Sequence, residues 1–113
     1  VFGCGGDRDK CKRPKMMKVA QNFANKVIFT SDNNRFEAFQ SICQDVLDGN
    51  NNYKTEIIED RQEAIKSALK HLNEKNILVI LGKGHETFMD VQGKKVPFND
   101  KSCVLKILSN ETN

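Results

Sequence analysis

One stretch decides the predicted fold: Asn76-Ile77-Leu78-Val79-Ile80-Leu81-Gly82-Lys83-Gly84-His85-Glu86. It contains five consecutive apolar residues, three of them β-branched, without a polar interruption. A short run of this kind is typical of a strand that is buried on both faces of a sheet. The run stops at two glycines and three ionisable side chains. Because open parallel sheets bind ligands just beyond the carboxyl ends of their strands, the loop at 82–86 is the first candidate for a functional site.

The composition is that of a single globular domain. The chain has 113 residues, of which 38% are hydrophobic and 29% charged, which is enough to bury a core without cross-links. No apolar run approaches the roughly 20 residues that span a bilayer, and the first residues do not have the pattern of a signal peptide. The chain opens on Val1-Phe2-Gly3-Cys4 without a Met, and we expect it to be a fragment of a longer protein.

The charge pattern indicates which kind of ligand to expect, and the cysteines indicate the redox compartment. A basic cluster lies near the start of the chain and consists of Arg8, Lys10, Lys12, Arg13, Lys15 and Lys18. No aromatic residue is interleaved with it to stack on bases, so we expect anionic small molecules rather than nucleic acid. The four cysteines do not have zinc-ligand spacing and suit reduced thiols in the cytoplasm: Cys4, Cys11, Cys43 and Cys103.

The remaining patterns alternate between strands and helices. We predict strands at 1–3, 27–30, 55–59 and 77–81, and helices at 14–25, 37–47, from Asp60 onward, and from Asn99 or Asp100 to 108. Asp60 and Glu63 form a predicted capping box, and Val104, Leu105 and Leu108 are predicted to pack inward. Residues 50–52 read as a turn, and 87–98 as a hairpin around Gln92-Gly93-Lys94. The order predicts an α/β domain with a mostly parallel sheet and helices on both faces.

If the sheet is parallel, the loops after the strands at 1–3, 27–30 and 77–81 share one edge. That edge collects Asp7, Arg8, Asp9, Lys10, Asn33, Arg35, Lys83, His85 and Glu86. Arginines bind carboxylates and phosphates through two parallel hydrogen bonds, and a glutamate beside them can hold an ammonium group. Taken singly, each loop also fits ordinary turn chemistry. The phosphate-binding loop of nucleotide hydrolases and the dinucleotide fingerprint are both absent from the sequence, so the convergence favours a free amino acid as ligand.

Several spaced motifs together resemble the C-terminal domain of the Mur ligases, in particular those members that add the third residue of the peptidoglycan stem peptide. The motifs are the segment 1–10, Lys12-Arg13-Pro14, Thr30-Ser31-Asp32-Asn33-Asn34-Arg35, Asp60-Arg61, Gly82-Lys83-Gly84-His85-Glu86 and Pro97-Phe98-Asn99-Asp100. The third of them is similar to the family's Asp-Asn-Pro-Arg motif, with Asn34 in the place of proline. Cys11 stands where the family usually has glycine. The resemblance covers the chain end to end and implies a Rossmann-like three-layer domain.

The resemblance also implies a function for the longer protein. Such ligases are three-domain cytoplasmic enzymes, in which ATP phosphorylates a carboxylate of UDP-N-acetylmuramoyl-L-alanyl-D-glutamate and the amine of meso-diaminopimelate attacks the acyl phosphate. ATP and Mg²⁺ would be bound mainly by a central domain outside this chain, so we expect no catalytic residue and no metal ligand here. We also expect a monomer that binds neither nucleic acid nor membrane.

Site residues carry over by motif. The resemblance implies that the diaminopimelate is held by Arg8, Asn33, Arg35, Gly82 and Glu86. Arg35 would grip the distal carboxylate, a group that lysine lacks. Asp9 and Lys10 would lie near the nucleotide. Two alternatives stay open at this point: a relative that adds L-lysine or another diamino acid, and a non-catalytic module that binds amino acids.

Overall fold

The computed structural model describes residues 1–50 and 54–111. A 3₁₀ turn spans Lys10–Lys12, and the helices are α1 (Arg13–Phe23), α2 (Phe39–Leu47), α3 (Arg61–Lys70) and α4 (Asp100–Glu111). The strands are β1 (Val27–Phe29), β2 (Thr55–Ile57), β3 (Phe88–Val91) and β4 (Lys94–Pro97). Pro14 lies in the first turn of α1, as its fixed backbone angle predicts. Asn51 and Asn52 of the predicted turn lie outside the described residues.

The main sheet is parallel throughout. β1 pairs with β2 in the register Val27 to Thr55 and Phe29 to Ile57. On the other side of β1, Phe2 forms a parallel bridge with Phe29. The strand predicted at 1–3 is reduced to this single bridge. Next to it, the ammonium group of Val1 donates to the Val79 carbonyl at 2.9 Å. The order across the sheet is therefore residues 77–81, residues 1–2, β1 and β2, with all carboxyl ends at one edge.

Helices cover both faces of this sheet. Side chains alternate along β1, so Val27 and Phe29 face one side and Ile28 the other. The first side packs against α1 and α2 in a core that contains Phe2, Cys4, Met17, Val27, Phe29, Phe39, Ile42 and Val46. Ile28 packs against Ala64 and Ala68 of α3. The predicted three-layer α/β architecture is confirmed.

The apolar run at 77–81 was predicted to be a strand buried on both faces, but it is neither a regular strand nor buried on both faces. Ile77 is 88% exposed, Val79 51% and Leu81 57%, whereas Leu78 and Ile80 are half-buried. The segment lies at the rim of the sheet and hydrogen-bonds to Val1. One of its faces packs on the layer below, where Leu78 joins the cluster around Ile28. A segment with one covered face shows alternating exposure, whatever its hydrophobicity.

The helix caps follow the sequence, but the buried stripe of α4 does not. Asp60 accepts a hydrogen bond from the Glu63 backbone N–H at 3.1 Å, and so caps α3. Asn99 accepts one from the Ser102 N–H at 2.9 Å in the same way. In α4, however, Ile107 is the buried hydrophobic residue, whereas the predicted inward residues Leu105 and Leu108 are 57% and 42% exposed. Val104 is half-buried.

An ion pair, and not the leucines of α4, determines how this helix is rotated about its own axis. Asp100 is buried because it pairs with Arg61 of α3. A helix turns 100° per residue, so the face that contains Asp100 also contains Val104 and Ile107. Leu105 and Leu108 are carried away from α3 by the same rotation.

The predicted hairpin is confirmed. β3 and β4 are antiparallel, and Val91 faces Lys94 across a two-residue turn. Gln92 and Gly93 have φ of +54° and +79°, the positive values that a type I′ turn requires. The hairpin is attached to the loop after β1, because the Arg35 N–H donates to the Asp90 carbonyl at 3.0 Å. It thereby becomes a wall of the edge at which the three loops meet.

Two further observations concern the expected class of protein. All four cysteines are free thiols, in line with the prediction of reduced cysteines. Within residues 1–50 and 54–111, no helix combines the length and apolar character needed to cross a bilayer.

Candidate amino-acid site at the carboxyl edge

Close backbone contact joins the first loop to the loop after β1. The Gly6 N–H donates to the Asn33 carbonyl at 2.7 Å. A Cβ atom at Gly6 would lie 1.8 Å from the Asn34 carbonyl oxygen, so any side chain there would force the loops apart. The glycine pair that the sequence places after Cys4 is therefore a contact surface between loops as well as a turn.

Arg35 occupies a constrained backbone position in the second loop. Its φ of +54° lies in the left-handed region, which residues other than glycine seldom adopt. Hydrogen bonds to the hairpin hold it there, since its N–H donates to Asp90 and its carbonyl accepts from Gln92 at 2.8 Å. Its half-buried side chain donates from Nη1 to the carbonyls of Gly6, at 3.0 Å, and Asn33, at 3.2 Å.

Arg8 lies next to Arg35. A Cβ atom at Gly5 would be 2.9 Å from Arg35 Nη1 and 3.2 Å from Arg8 Cδ, so the two arginine side chains flank the same glycine. Arg8 is exposed, whereas Arg35 is held by backbone carbonyls. Two arginine side chains beside one glycine, one of them held by backbone carbonyls, are suited to binding a carboxylate or a phosphate.

A buried lysine joins the second and third loops. Lys83 is 2% exposed, and its ammonium group contacts three oxygen atoms. These are Asp32 Oδ1 at 3.3 Å, Asn33 Oδ1 at 3.2 Å and Glu86 Oε1 at 3.2 Å. Because a buried charge requires partners of this kind, the lysine fixes the position of both carboxylates and of the amide.

Glu86 is the acidic side chain of this cluster that faces solvent. Its side chain is 44% exposed. The hydrogen bond from Lys83 lowers the pKa of the Glu86 carboxyl, and the bond from Asn33 Nδ2, at 3.4 Å, acts in the same direction. The positive charge of Arg35 contributes as well, so Arg35 and Glu86 sense one another electrostatically. At neutral pH this carboxylate is ionised.

Gly82 allows the third loop to approach the second. Its φ is +109°, and a Cβ atom there would lie 2.9 Å from Asp32 Oδ2. A side chain at this position would therefore push Asp32 away from Lys83. The role of Gly82 in the geometry is close approach, which is compatible with the ligand contact that the family resemblance implies.

A second buried charge cluster fixes the first loop. Arg13 of α1 donates to both carboxylate oxygens of Glu37 at 2.7 Å, to Asp45 at 2.8 Å and to the Gly5 carbonyl at 2.9 Å. Glu37 in turn accepts from the Asp7 N–H at 3.0 Å. The bonds from Arg13 lower the pKa of Glu37 to about 2, and Glu37 raises the pKa of Arg13. Arg8 is thus carried by a loop that is fixed immediately before it.

Arg61 fixes the carboxyl ends of two neighbouring segments. It pairs with Asp100 through Nε and Nη2, both at 2.8 Å, and it is 1% exposed. It also donates to the carbonyls of Ser31 and Leu81, both at 3.1 Å. Arg61 of the Asp60-Arg61 motif therefore fixes the position of the loop after β1 relative to the loop at 82–86.

Asp9, Lys10 and His85 were also predicted at this edge, and they lie outside the Lys83 cluster. Asp9 caps the 3₁₀ turn by accepting from the Cys11 N–H at 2.9 Å. The Lys10 side chain is 63% exposed and lies 3.9 Å from Glu37. His85 is exposed. The predicted positions of Asp9 and Lys10 near the nucleotide stay predictions.

Five predicted residues are thus brought together: Arg8, Asn33, Arg35, Gly82 and Glu86. Sequence reasoning missed the importance of Asp32, which it treated as turn chemistry, and it placed Lys83 at the edge without a role. The available signal was a lysine between two glycines directly after an apolar run, since such a lysine can turn back beneath its own loop.

The predicted binding of ATP and Mg²⁺ mainly by a domain outside this chain stays a prediction. The sequence lacks a phosphate-binding loop. In the described part of the chain, no group of three His, Cys, Asp or Glu side chains is arranged to hold a metal ion. The chemistry that the described edge supports is the recognition of a small molecule with both a carboxylate and an ammonium group.

Comparisons with known proteins show which family this chain resembles. Residues 1–84 match the family model described as Mur ligase, glutamate ligase domain. The UDP-N-acetylmuramoyl-L-alanyl-D-glutamate–2,6-diaminopimelate ligase of Rickettsia typhi is 47% identical over 96% of this chain and 22% of its own length. The ligase of the same name from Aquifex aeolicus is 45% identical over 98% of the chain and 23% of its own length.

A solved structure extends the similarity to three dimensions. A structure of a UDP-N-acetylmuramoyl-L-alanyl-D-glutamate–2,6-diaminopimelate ligase matches 99% of this chain with a TM-score of 0.93 and 37% sequence identity. The match covers 24% of that chain. The chain described here therefore spans between a fifth and a quarter of the length of these relatives.

Proposed function

This chain belongs to the Mur ligase family, and we propose that it forms the amino-acid-binding domain of a ligase that adds meso-diaminopimelate to UDP-N-acetylmuramoyl-L-alanyl-D-glutamate. ATP is the co-substrate of that ligase. ATP and Mg²⁺ are bound by parts of the longer protein outside this chain. The longer protein acts in the cytoplasm as a monomer. The fragment by itself is inactive, and its contribution is to bind and orient the amino acid.

The observation that carries this proposal is the convergence of Arg8, Arg35 and Glu86, which are remote in sequence, on one edge. Arg8 and Arg35 flank Gly5, and Glu86 is linked to the Arg35 loop through the Asn33 amide. A pair of guanidinium groups beside an ionised carboxylate complements a zwitterion that bears an additional carboxylate. meso-Diaminopimelate is such a zwitterion.

The hydrogen bonds of Arg35 support a role in selecting the distal carboxylate. Only Nη1 of its guanidinium group donates to the described part of the chain, to Gly6 and Asn33. Nε and Nη2 lie on one edge of the planar group, and that edge is left for a carboxylate to accept two parallel hydrogen bonds. L-Lysine has the same distal ammonium group but a hydrogen atom in place of this carboxylate, so it would leave Arg35 unpaired.

Glu86 provides the complementary contact. Its lowered pKa keeps it ionised, and its exposed side chain can accept hydrogen bonds from an ammonium group of the ligand. With the distal end of the amino acid held by Arg35, the reactive end is oriented toward the rest of the ligase. Orientation of this kind accelerates a reaction between two bound substrates because their relative freedom has already been lost.

The test compares meso-diaminopimelate with L-lysine in the full-length gene product that contains this chain. The unmodified enzyme should ligate meso-diaminopimelate in an ATP-dependent reaction and strongly prefer it to L-lysine. Arg35→Ala should lower kcat/KM for meso-diaminopimelate by about 100-fold and leave that for L-lysine nearly unchanged, because lysine makes no use of the lost contact. The measurement is steady-state kinetics with each amino acid varied at saturating ATP.

Lys15→Ala, which removes an exposed cation from α1, is the control and should behave as the unmodified enzyme. Equal losses for both amino acids in Arg35→Ala would contradict the proposed role of Arg35. A full-length protein that prefers L-lysine would contradict the assigned substrate. A protein that binds the amino acid but forms no product would be a binding module.

A further inference from the structure

Lys83 has a role that no ligand contact explains. Its side chain is wholly buried beneath the loop at 82–86, and its ammonium group faces the interior of the cluster. Its three partners, Asp32, Asn33 and Glu86, belong to two of the three loops at the edge. A bound amino acid at the exposed edge would meet Glu86 before it could meet Lys83.

The lysine determines which way the Asn33 amide points. Asn33 Oδ1 accepts from Lys83 Nζ at 3.2 Å and from the Asp90 backbone N–H at 2.9 Å. An amide oxygen has two lone pairs, and both are used by these inward donors. The amide nitrogen is consequently turned outward, where Nδ2 lies 3.4 Å from Glu86 Oε1.

The same logic divides the two oxygens of Glu86 between the protein and the solvent. Oε1 accepts from Lys83 at 3.2 Å and from Asn33 Nδ2. Among the described residues, no donor reaches Oε2. The carboxylate is therefore held by one oxygen and presents the other at the exposed edge.

We propose that Lys83 is a positioning residue of the amino-acid site. It holds Oε1 of Glu86 so that Oε2 meets the ammonium group of the ligand. This inference rests on the proposed function for the identity of the ligand. Its effect on Glu86 itself is a property of the unliganded chain and can be measured separately.

The charges around Glu86 define what the loss of Lys83 would do. On its own loop Glu86 has Lys83 and the exposed His85 as ionisable neighbours, and the loop after β1 contributes Asp32 and Arg35. Without Lys83, the Asp32 and Glu86 carboxylates would share the cluster with no cation between them. The pKa of Glu86 should then rise, because its largest stabilising partner is gone and a like charge remains.

The experiment has two readouts on Lys83→Met, which keeps the length of the side chain and removes its charge. The first is the carboxyl ¹³C titration of Glu86 in this chain without ligand, which is feasible because the chain has a core on each face of its sheet. The second is the KM for meso-diaminopimelate of the full-length ligase at pH 7.5 and pH 6. Lys66→Met, which removes an exposed cation from α3, is the matched control.

We expect the Glu86 titration to move to higher pH in Lys83→Met and to stay unchanged in Lys66→Met. The KM for meso-diaminopimelate should rise by roughly tenfold at pH 7.5, with a larger factor at pH 6, while the KM for ATP stays within about twofold. The larger increase of KM at pH 6 follows from the raised pKa of Glu86 in the variant. A carboxylate with a raised pKa becomes protonated as the pH falls, and it then no longer attracts the ammonium group of the ligand.

A purely structural lysine would give a different result. If Lys83→Met lowers the melting temperature but moves neither the Glu86 titration nor the KM for meso-diaminopimelate, the inference is wrong. If the single variant does not fold, Asp32→Asn combined with Lys83→Met removes the unpaired buried carboxylate and is measured in its place. A full-length protein that does not use meso-diaminopimelate refutes the proposed function, whereas normal use by both the unmodified enzyme and the variant refutes only the role of Lys83.

Discussion

Two apolar runs in this chain look alike in sequence and differ in structure. Residues 27–29 form β1, and all three of its side chains are buried: Val27 is 3% exposed, Ile28 4% and Phe29 0%. The run at 77–81 is longer and equally apolar, yet Ile77, Val79 and Leu81 are each more than half exposed. Hydrophobicity therefore does not distinguish the two segments.

The segments that lie beside them in the sheet distinguish β1 from the run at 77–81. β1 has Phe2 on one side and β2 on the other, and helices pack on both of its faces. The run at 77–81 hydrogen-bonds to Val1, and one of its faces is covered through Leu78. Both runs nevertheless deliver a polar loop to the same edge. The position of a segment in the sheet sets its burial, whereas its direction sets where its loop is found.

The largest effect that separates the two runs should come from Phe29→Ala. Phe29 packs edge-on against the Phe2 ring, with centroids 5.2 Å apart, and stacks on Phe39 at 5.9 Å. Removing the ring leaves a cavity between α1, α2 and the sheet, so the free energy of unfolding should fall by about 4 kcal/mol. Urea denaturation monitored by circular dichroism measures this.

Val79→Ala is the matched truncation in the other run and should lower the free energy of unfolding by less than about 1 kcal/mol, because the side chain already faces solvent. A loss at Val79 as large as that at Phe29 would show that the run at 77–81 is buried after all, and would reverse the comparison.

A smaller effect should follow from Arg61→Met, which removes the link between the ends of the two runs. Asp100 would remain buried without its partner, and the carbonyls of Ser31 and Leu81 would lose a donor. We expect the free energy of unfolding to fall by about 3 kcal/mol. Hydrogen exchange should accelerate more at the Leu81 amide than at Phe29, since the edge segment has fewer other contacts.

The double variant Arg61→Met with Asp100→Leu removes the unpaired carboxylate and should recover part of this loss. Equal acceleration of exchange at Leu81 and Phe29 in Arg61→Met would mean that Arg61 acts on the whole domain and does not specifically hold the edge segment.

A still smaller effect than that of Arg61→Met concerns the loop that follows β1. The pKa of Glu37 is about 2 in the folded chain, against an ordinary value of 4.5, because Arg13 donates to both of its oxygens. A lowered pKa stabilises the fold above pH 4.5, and that contribution is lost as the pH falls from 4.5 toward 2. Glu37→Gln should therefore lower the free energy of unfolding by about 2 kcal/mol at pH 7 and by much less at pH 3.

Urea denaturation at several pH values between 7 and 3 measures the difference between Glu37→Gln and the unmodified chain. Glu74→Gln, at an exposed position, should show no such pH-dependent difference. A difference for Glu37→Gln that stays constant down to pH 3 would show that Glu37 contributes through packing and not through its charge.

Much of the domain follows from signals within a few residues of one another. The Asp60 cap, the hairpin around Gln92-Gly93-Lys94 and the order of strands and helices were predictable because each depends on local backbone preferences. The shared edge of Arg8, Asn33, Arg35 and Glu86 was predictable as well, since parallel strands bring their carboxyl ends together. The family motifs added the role expected of each of these residues.

Sequence by itself therefore determined the α/β order, the edge at which the loops meet and the family. Tertiary structure alone decided that the run at 77–81 lies at the rim of the sheet, that Ile107 replaces Leu105 and Leu108 in the core, and that Lys83 turns inward to Asp32. Each of these outcomes depends on which element lies beside another, and on where a buried charge finds its partner. Neighbours in space that are 39 or 51 residues apart in the chain, such as Arg61 with Asp100 and Lys83 with Asp32, leave no periodic trace in the sequence.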